Sequence, residues 1–155
     1  MDASVKQKII DILDQNRIMS LATLRPDGWP QATTVGFAHE GLTLYFLCGR
    51  DSQKTRNLEK DDRVSLTINA DVPHVMGITG VSMAARAESI KDPGEAQRIL
   101  GLLIKRYPEQ ADFPGPPPPA DTMNIVRLRP QVISLIDYTK GFGHTDLIAV
   151  GQEDF

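Results

Sequence analysis

Three things are scarce in this chain of 155 residues, and each scarcity removes a class of protein. There is one cysteine, Cys48, so neither an internal disulfide framework nor a multi-cysteine metal site can form within the chain. Positive charge is not in excess. Seventeen Lys and Arg face 20 Asp and Glu, a net charge of −3, which gives the whole surface no attraction for nucleic acid or an anionic membrane. No apolar run approaches the roughly 18 residues a membrane helix needs. The opening Met1-Asp2-Ala3-Ser4-Val5-Lys6 leads into an amphipathic pattern, not the apolar stretch of a secretion signal. The expectation is a cytoplasmic protein with no nucleic-acid or membrane partner. Its composition, 41% hydrophobic and 24% charged, suits a single domain over 1–155 with a substantial core.

The hydrophobic pattern then divides the chain. Val5, Ile9, Ile12 and Leu13 share one helical face, with Ser4 in position to cap it. Strand-like runs follow at Arg17–Leu24, Trp29–Ala38 and Leu42–Cys48, joined by Arg25-Pro26-Asp27-Gly28 and His39-Glu40-Gly41, which is the pattern of an antiparallel meander. Arg63–Asn69, Gly77–Ile90, Met123–Leu128 and Gln131–Tyr138 complete the strands, with Pro130 marking a bend or an edge. A short helix is expected over Ser52–Lys60. A second opens at Asp92-Pro93-Gly94-Glu95, where cap, N1 proline and acidic N3 coincide. The proline-rich stretch 113–119 reads as an extended connector.

Six to seven antiparallel strands with peripheral helices predict a small closed β-barrel. Gly77–Ala85 carries no charge on either face, so both faces are expected to be covered, the second by another copy of the chain. A homodimer is the expectation.

Chemistry concentrates where the third strand ends. Gly49 frees the backbone, Ser52 starts a helix, and Lys54 stands in its first turn, where a cation is disfavoured without an anionic partner. Arg50 and Arg56 add charge nearby. A phosphate site and a Ser-capped surface helix with solvated basic residues both fit this stretch. Gln31-Ala32-Thr33-Thr34-Val35-Gly36 is small and uncharged, which suits either close approach of a flat ligand or an ordinary barrel strand. His39, His74 and His144 fall in turn, loop and tail without metal-ligand spacing, so no metal site is expected. Cys48 reads as a small core residue. Gly141-Phe142-Gly143 lacks the third glycine of a dinucleotide loop, leaving a lid or a disordered tail as its readings.

Ile18-Met19-Ser20-Leu21-Ala22-Thr23-Leu24, Pro26-Asp27-Gly28-Trp29-Pro30, Leu44-Tyr45-Phe46, Ser52-Gln53-Lys54 and Asp62-Arg63-Val64-Ser65-Leu66 together resemble the pyridoxamine-phosphate oxidase-like proteins, which are FMN-binding split barrels. The resemblance implies a homodimeric FMN flavoprotein, an oxidoreductase acting on a small organic substrate at a cleft between subunits. Lys54 would hold the phosphate with Ser52 and Gln53. Thr33, Thr34 and Val35 would run along the ring, with Leu47 and Cys48 on a second strand. Arg50 and Asn57 would lie close by, and Gly80 and Val81 would reach the partner's flavin. Thr33 and Gln53 stand where the vitamin-converting enzymes carry arginines, and their C-terminal tryptophan and arginine motif is absent, so pyridoxamine phosphate is not the implied substrate. No catalytic residue is assigned. Deazaflavin reduction, haem binding with His74 or His144 as axial ligand, and non-catalytic flavin binding are the alternatives.

Overall fold

A computed structural model describes residues 1–112, 114–116 and 118–155; Phe113 and Pro117 of the proline-rich connector lie outside the described residues. The strands are β1 (Ile18–Leu24), β2 (Pro30–Glu40), β3 (Thr43–Gly49), β4 (Arg63–Asn69), β5 (Thr79–Ser89), β6 (Met123–Asp137) and β7 (Thr145–Ala149). The helices are α1 (Ala3–Gln15), α2 (Gln53–Lys60) and α3 (Pro93–Arg106). The strands pair antiparallel in the order β3-β2-β1-β4-β5-β6, and β6 returns to β3 to close a six-stranded barrel with β7 appended. This is the split-barrel class anticipated above.

Alternation builds the interior. Met19 and Leu21, Leu66 and Ile68, Val81 and Met83, and Ile133 and Leu135 point inward from successive strands and are almost wholly buried. Ile9 and Leu13 of α1 join the same cluster, fully enclosed. Each such aliphatic side chain contributes about 1.5–3 kcal/mol by leaving water. Ile99 and Leu103 of α3 form a second cluster with Ala38 and Tyr45 on the opposite face of β2 and β3.

Several sequence expectations need correction. Asp2, not Ser4, caps α1: its carboxylate accepts from the N–H groups of Ser4 and Val5. The two strands expected around Pro130 are one 15-residue strand. Its free edge pairs with β3 over Met123–Leu128 and with β7 over Val132–Ile136, and the β5–β6 register shifts at Ala84/Ala85 where Pro130 sits. A proline without an N–H fits at this change of partner. The tail after His144 is not disordered: Thr145–Ala149 is β7, paired with β6. Within one chain, Val81, Met83 and Ala85 of the neutral stretch of β5 are buried inside the barrel, while Ser82 is half-buried and Ala84 exposed on its outer face.

That outer face has a consistent composition. Pairing aligns Thr34, Ser20, Thr67, Ser82, Ser134 and Leu147 in one row across six strands, and Ala32, Ala22, Ser65, Ala84, Val132 and Ala149 in the next. Neither row contains a charge. Among the described residues, no helix is long and apolar enough to cross a membrane.

Candidate functional site at the split between β2 and β3

The seam between β2 and β3 is incomplete. β3 pairs with β2 only from Phe37↔Phe46 to Glu40↔Thr43, whereas β1 pairs with β2 all the way from Pro30 to Gly36. The bond from the Phe37 N–H to the Arg17 carbonyl, 3.1 Å, continues the β1–β2 ladder and sets its parity. Odd-numbered residues of β2 therefore turn their backbone polar groups towards β1. Ala32, Thr34 and Gly36 turn theirs to the open edge.

The turn after β3 brings α2 across this gap. Ser52 caps the helix, its Oγ accepting from the Thr55 N–H at 3.2 Å. Three residues of α2 then bridge towards β2. Lys54 Nζ donates to Thr33 Oγ1 at 2.5 Å. Asn57, fully enclosed, donates from Nδ2 to Thr23 Oγ1 (2.9 Å) and Gln31 Oε1 (3.2 Å). Gln53 completes the set by donating to Asn57 Oδ1 at 2.8 Å.

The two buried polar groups differ in kind. Asn57 has partners on both its amide nitrogen and its oxygen, so it holds α2 against β1 and β2. Lys54 is half-buried, and its only hydrogen-bond or ion-pair partner among the described residues is the neutral Thr33 hydroxyl. A sheltered ammonium is better stabilised by a counter-charge than by a neutral hydroxyl. Arg56 is turned back on its own turn, donating to the Asp51 carbonyl (2.6 Å) and to Gln53 Oε1 (3.2 Å).

The remaining sequence-predicted residues are distributed differently. Thr33 and Val35 face the barrel interior opposite Leu21 and Met19, while Thr34 faces outward beside a hollow of about 490 Å³ that Ile18, Ser20 and Thr67 also line. No strand can present all three side chains to one ligand face. Leu47 packs under α3. Cys48 is buried, its Sγ 3.3 Å from Thr55 Oγ1. Arg50 is exposed, its N–H bound to the Thr122 carbonyl, and it lines a groove of about 1420 Å³ with Glu59, Asn124 and Arg127. Gly80 and Val81 lie on β5, separated from β2 by β4 and β1. A Cβ at Gly80 would stand 2.7 Å from the Ile68 carbonyl oxygen, so close strand approach requires the glycine. Val81 points into the core.

Thr23 belongs to this region as a partner of Asn57, and the sequence assigned it no role. A signal existed for Thr23. It follows Met19 and Leu21 at a core-facing position of β1, so a polar residue there called for a polar partner.

Comparisons with known proteins bear on the family and the fold. The family model for pyridoxamine 5'-phosphate oxidase matches residues 5–137. General stress protein 26 of Bacillus subtilis is 26% identical over 133 residues, 86% of this chain and 89% of that protein. A crystal structure of a proposed pyridoxamine 5'-phosphate oxidase from Listeria innocua superimposes with a TM-score of 0.70 at 25% identity, covering 86% of this chain and 98% of that one. A haem-binding protein of Mycobacterium smegmatis shares the fold, with a TM-score of 0.76 at 20% identity over 96% of this chain and 59% of that one.

Proposed function

Because the chain belongs to the pyridoxamine 5'-phosphate oxidase family, we propose that it binds FMN in the split between β2 and β3 and carries out an oxidation–reduction on a small organic molecule. One observation carries this reading: a strand edge paired on one side only runs to a half-buried ammonium, Lys54, that has no counter-charge among the described residues. A phosphate supplies that charge, and charge-assisted bonds to it are among the stronger ones available.

The edge suits the rest of the molecule. Ala32 and Thr34 offer backbone donors and acceptors, and the pyrimidine rim of a flavin presents an N–H between two carbonyl oxygens. Lys54 and the first N–H groups of α2 would hold the phosphate. Ser52, engaged as the helix cap, and Asn57, engaged with Thr23 and Gln31, would keep α2 in register without touching the ligand. When bound, the flavin supplies the two-electron chemistry, and the protein binds, orients and shields it.

The same reading accounts for the uncharged outer face. A second copy docked there would bury its rows of Ser, Thr and Ala, giving the homodimer in which Gly80 and Val81 approach the partner's split through their backbone.

The test is an absorption spectrum after FMN is added and the excess removed, with sedimentation of the same sample. A retained flavin spectrum on a dimer is the expected result. A protein that retains haem or a deazaflavin but not FMN overturns the cofactor assignment, and a monomer at micromolar concentration overturns the shared cleft. Haem needs an axial ligand, and two of the three histidines are already engaged: His39 with Asp14 and the Gly41 carbonyl, His144 with Asp146.

A further inference from the structure

We propose that the hollow on the outer side of Thr34 receives the second reactant, and that its lining admits a flat organic molecule that is neutral or positively charged rather than a phosphate or carboxylate. This rests on the flavin reading above.

Strand parity places the hollow. Thr34 turns its backbone polar groups to the open edge, while its side chain points to the outer face and lines the hollow of about 490 Å³. A molecule in the hollow and one bonded along the edge therefore meet at the same residue. Lys54 stands on the opposite face of β2, on the inward Thr33. The floor of the hollow is one paired row, Thr34, Ser20 and Thr67, on three adjacent strands. Neighbouring strands lie about 4.8 Å apart, so this row spans roughly 10 Å, enough for two fused rings. All three residues are exposed, and none of their hydroxyls is engaged by another group among the described residues.

The wall is the loop between β4 and β5, and it is already folded. The Gly77 N–H donates to the His74 carbonyl at 2.8 Å, the Ile78 N–H to the Val75 carbonyl at 3.1 Å, and the Tyr138 N–H to the Ile78 carbonyl at 2.9 Å. Ile18 and Val75 line the hollow while each remains 59% exposed, and Val72, Pro73 and Ile78 add apolar surface. An aliphatic rim left in water beside a row of hydroxyls suits a ring that is apolar on its faces and polar at its edge.

Charge decides the class of ligand. Asp71 is the one ionisable residue lining the hollow, and no cation lines it. Asp71 makes no ion pair among the described residues. A phosphate or carboxylate would enter beside this carboxylate without a positive partner, whereas a neutral ring meets no such penalty and a cation gains. A second copy docked on the outer face brings the same uncharged rows against the hollow. The two faces of β2 are thus divided by charge: an ammonium inside for the cofactor's phosphate, a carboxylate outside for the second reactant.

The experiment uses the FMN-loaded protein and three probes: methylene blue, a cation; menadione, which is neutral; and 1,4-naphthoquinone-2-sulfonate, an anion. Binding of each to the oxidised protein is measured by equilibrium dialysis. The two quinones are then mixed with protein photoreduced without oxygen, and the return of oxidised flavin is followed as two electrons and two protons pass to the quinone and give the hydroquinone. Methylene blue and menadione should bind, and the sulfonate should bind at least about 5-fold more weakly than menadione. In Asp71→Asn methylene blue should weaken and the sulfonate tighten, each by about 2- to 5-fold relative to menadione. Thr67→Phe, two strands from β2, fills the hollow and should raise the half-saturating menadione concentration at least about 10-fold with FMN still bound. Equal binding of sulfonate and menadione, an Asp71→Asn variant that treats all three probes as wild type does, or a menadione saturation that Thr67→Phe leaves unmoved each overturns the inference. Loss of FMN by a folded Thr67→Phe also overturns it, because the hollow would then hold the cofactor. Failure of the wild type to retain FMN is read separately and removes the flavin reading; dialysis of the three probes against the flavin-free protein then still decides the charge preference of the hollow.

Discussion

The two edges of β3 are built for different purposes. On one side six consecutive residues, Leu44 to Gly49, pair with β6, and the inward side chains Leu44, Phe46, Val126 and Leu128 are all fully buried. On the other side pairing with β2 covers four residues and stops at Phe37↔Phe46. Beyond it the wall is completed by side chains of α2 rather than by a ladder. The closed seam contributes hydrophobic burial and backbone bonds to the barrel. The open seam can therefore leave backbone groups without a strand partner and an ammonium whose one partner among the described residues is a neutral hydroxyl, which is the condition for binding something else.

The comparison is tested most severely at its closed side. Phe46→Ala should destabilise the fold by about 3–5 kcal/mol, the usual cost of deleting a buried aromatic ring, read by denaturant unfolding. A loss below about 1 kcal/mol would mean that the closed seam is not where the stability lies. Lys54→Ala should behave oppositely. Its folding stability should stay within about 0.5 kcal/mol of wild type, while FMN binding weakens by roughly 10- to 150-fold, the equivalent of a charge-assisted bond of about 1.5–3 kcal/mol. Unchanged FMN affinity in the folded variant would remove Lys54 from the site.

Asn57→Ala sharpens the contrast within α2. It leaves Thr23 and Gln31 unsatisfied and should cost about 1–3 kcal/mol of stability. A variant that loses FMN with full stability would instead make Asn57 a ligand contact.

The smallest effect is a control far from either seam. The Thr139 hydroxyl and then the Lys8 ammonium hold Asp137 down to a pKa of about 2 from the ordinary 3.8. A carboxylate depressed in the folded state stabilises above its unfolded value, and that contribution is lost as pH falls from about 4 towards 2. Asp137→Asn should flatten the fall of the melting temperature in that window, in part only, because Asp61 is held equally low by Arg63. An unaltered slope would show that the Asp137 contacts carry no net stability.

Much of the barrel was legible because alternation and turn chemistry are local. Arg25–Gly28 turns the chain with Gly28 at φ 87°, and Asp92-Pro93 starts α3 where the caps say it should. Pro130 misled because a proline that ends one strand and a proline at a bulge look alike until the partner strands are known. The site was half legible. Lys54 carries its own signal as a cation in the first turn of a helix, but nothing nearby in sequence announces Thr23 or Gln31 as the partners of Asn57.

Short-range physics was thus sufficient for most of the elements and for the neutral composition of the outer sheet face, though not for β7 or the continuity of β6, because propensity, capping and two-residue periodicity act over a few residues. Which seam closes and which stays open could not be read that way. It follows from β6 reaching β3 along six residues while β2 diverges after Phe37, a competition between strands distant in the chain. The same divergence lets α2 cross the gap and sets Lys54 on Thr33. Hydrogen-bond satisfaction is a property of three-dimensional neighbours, and only the folded chain decides it.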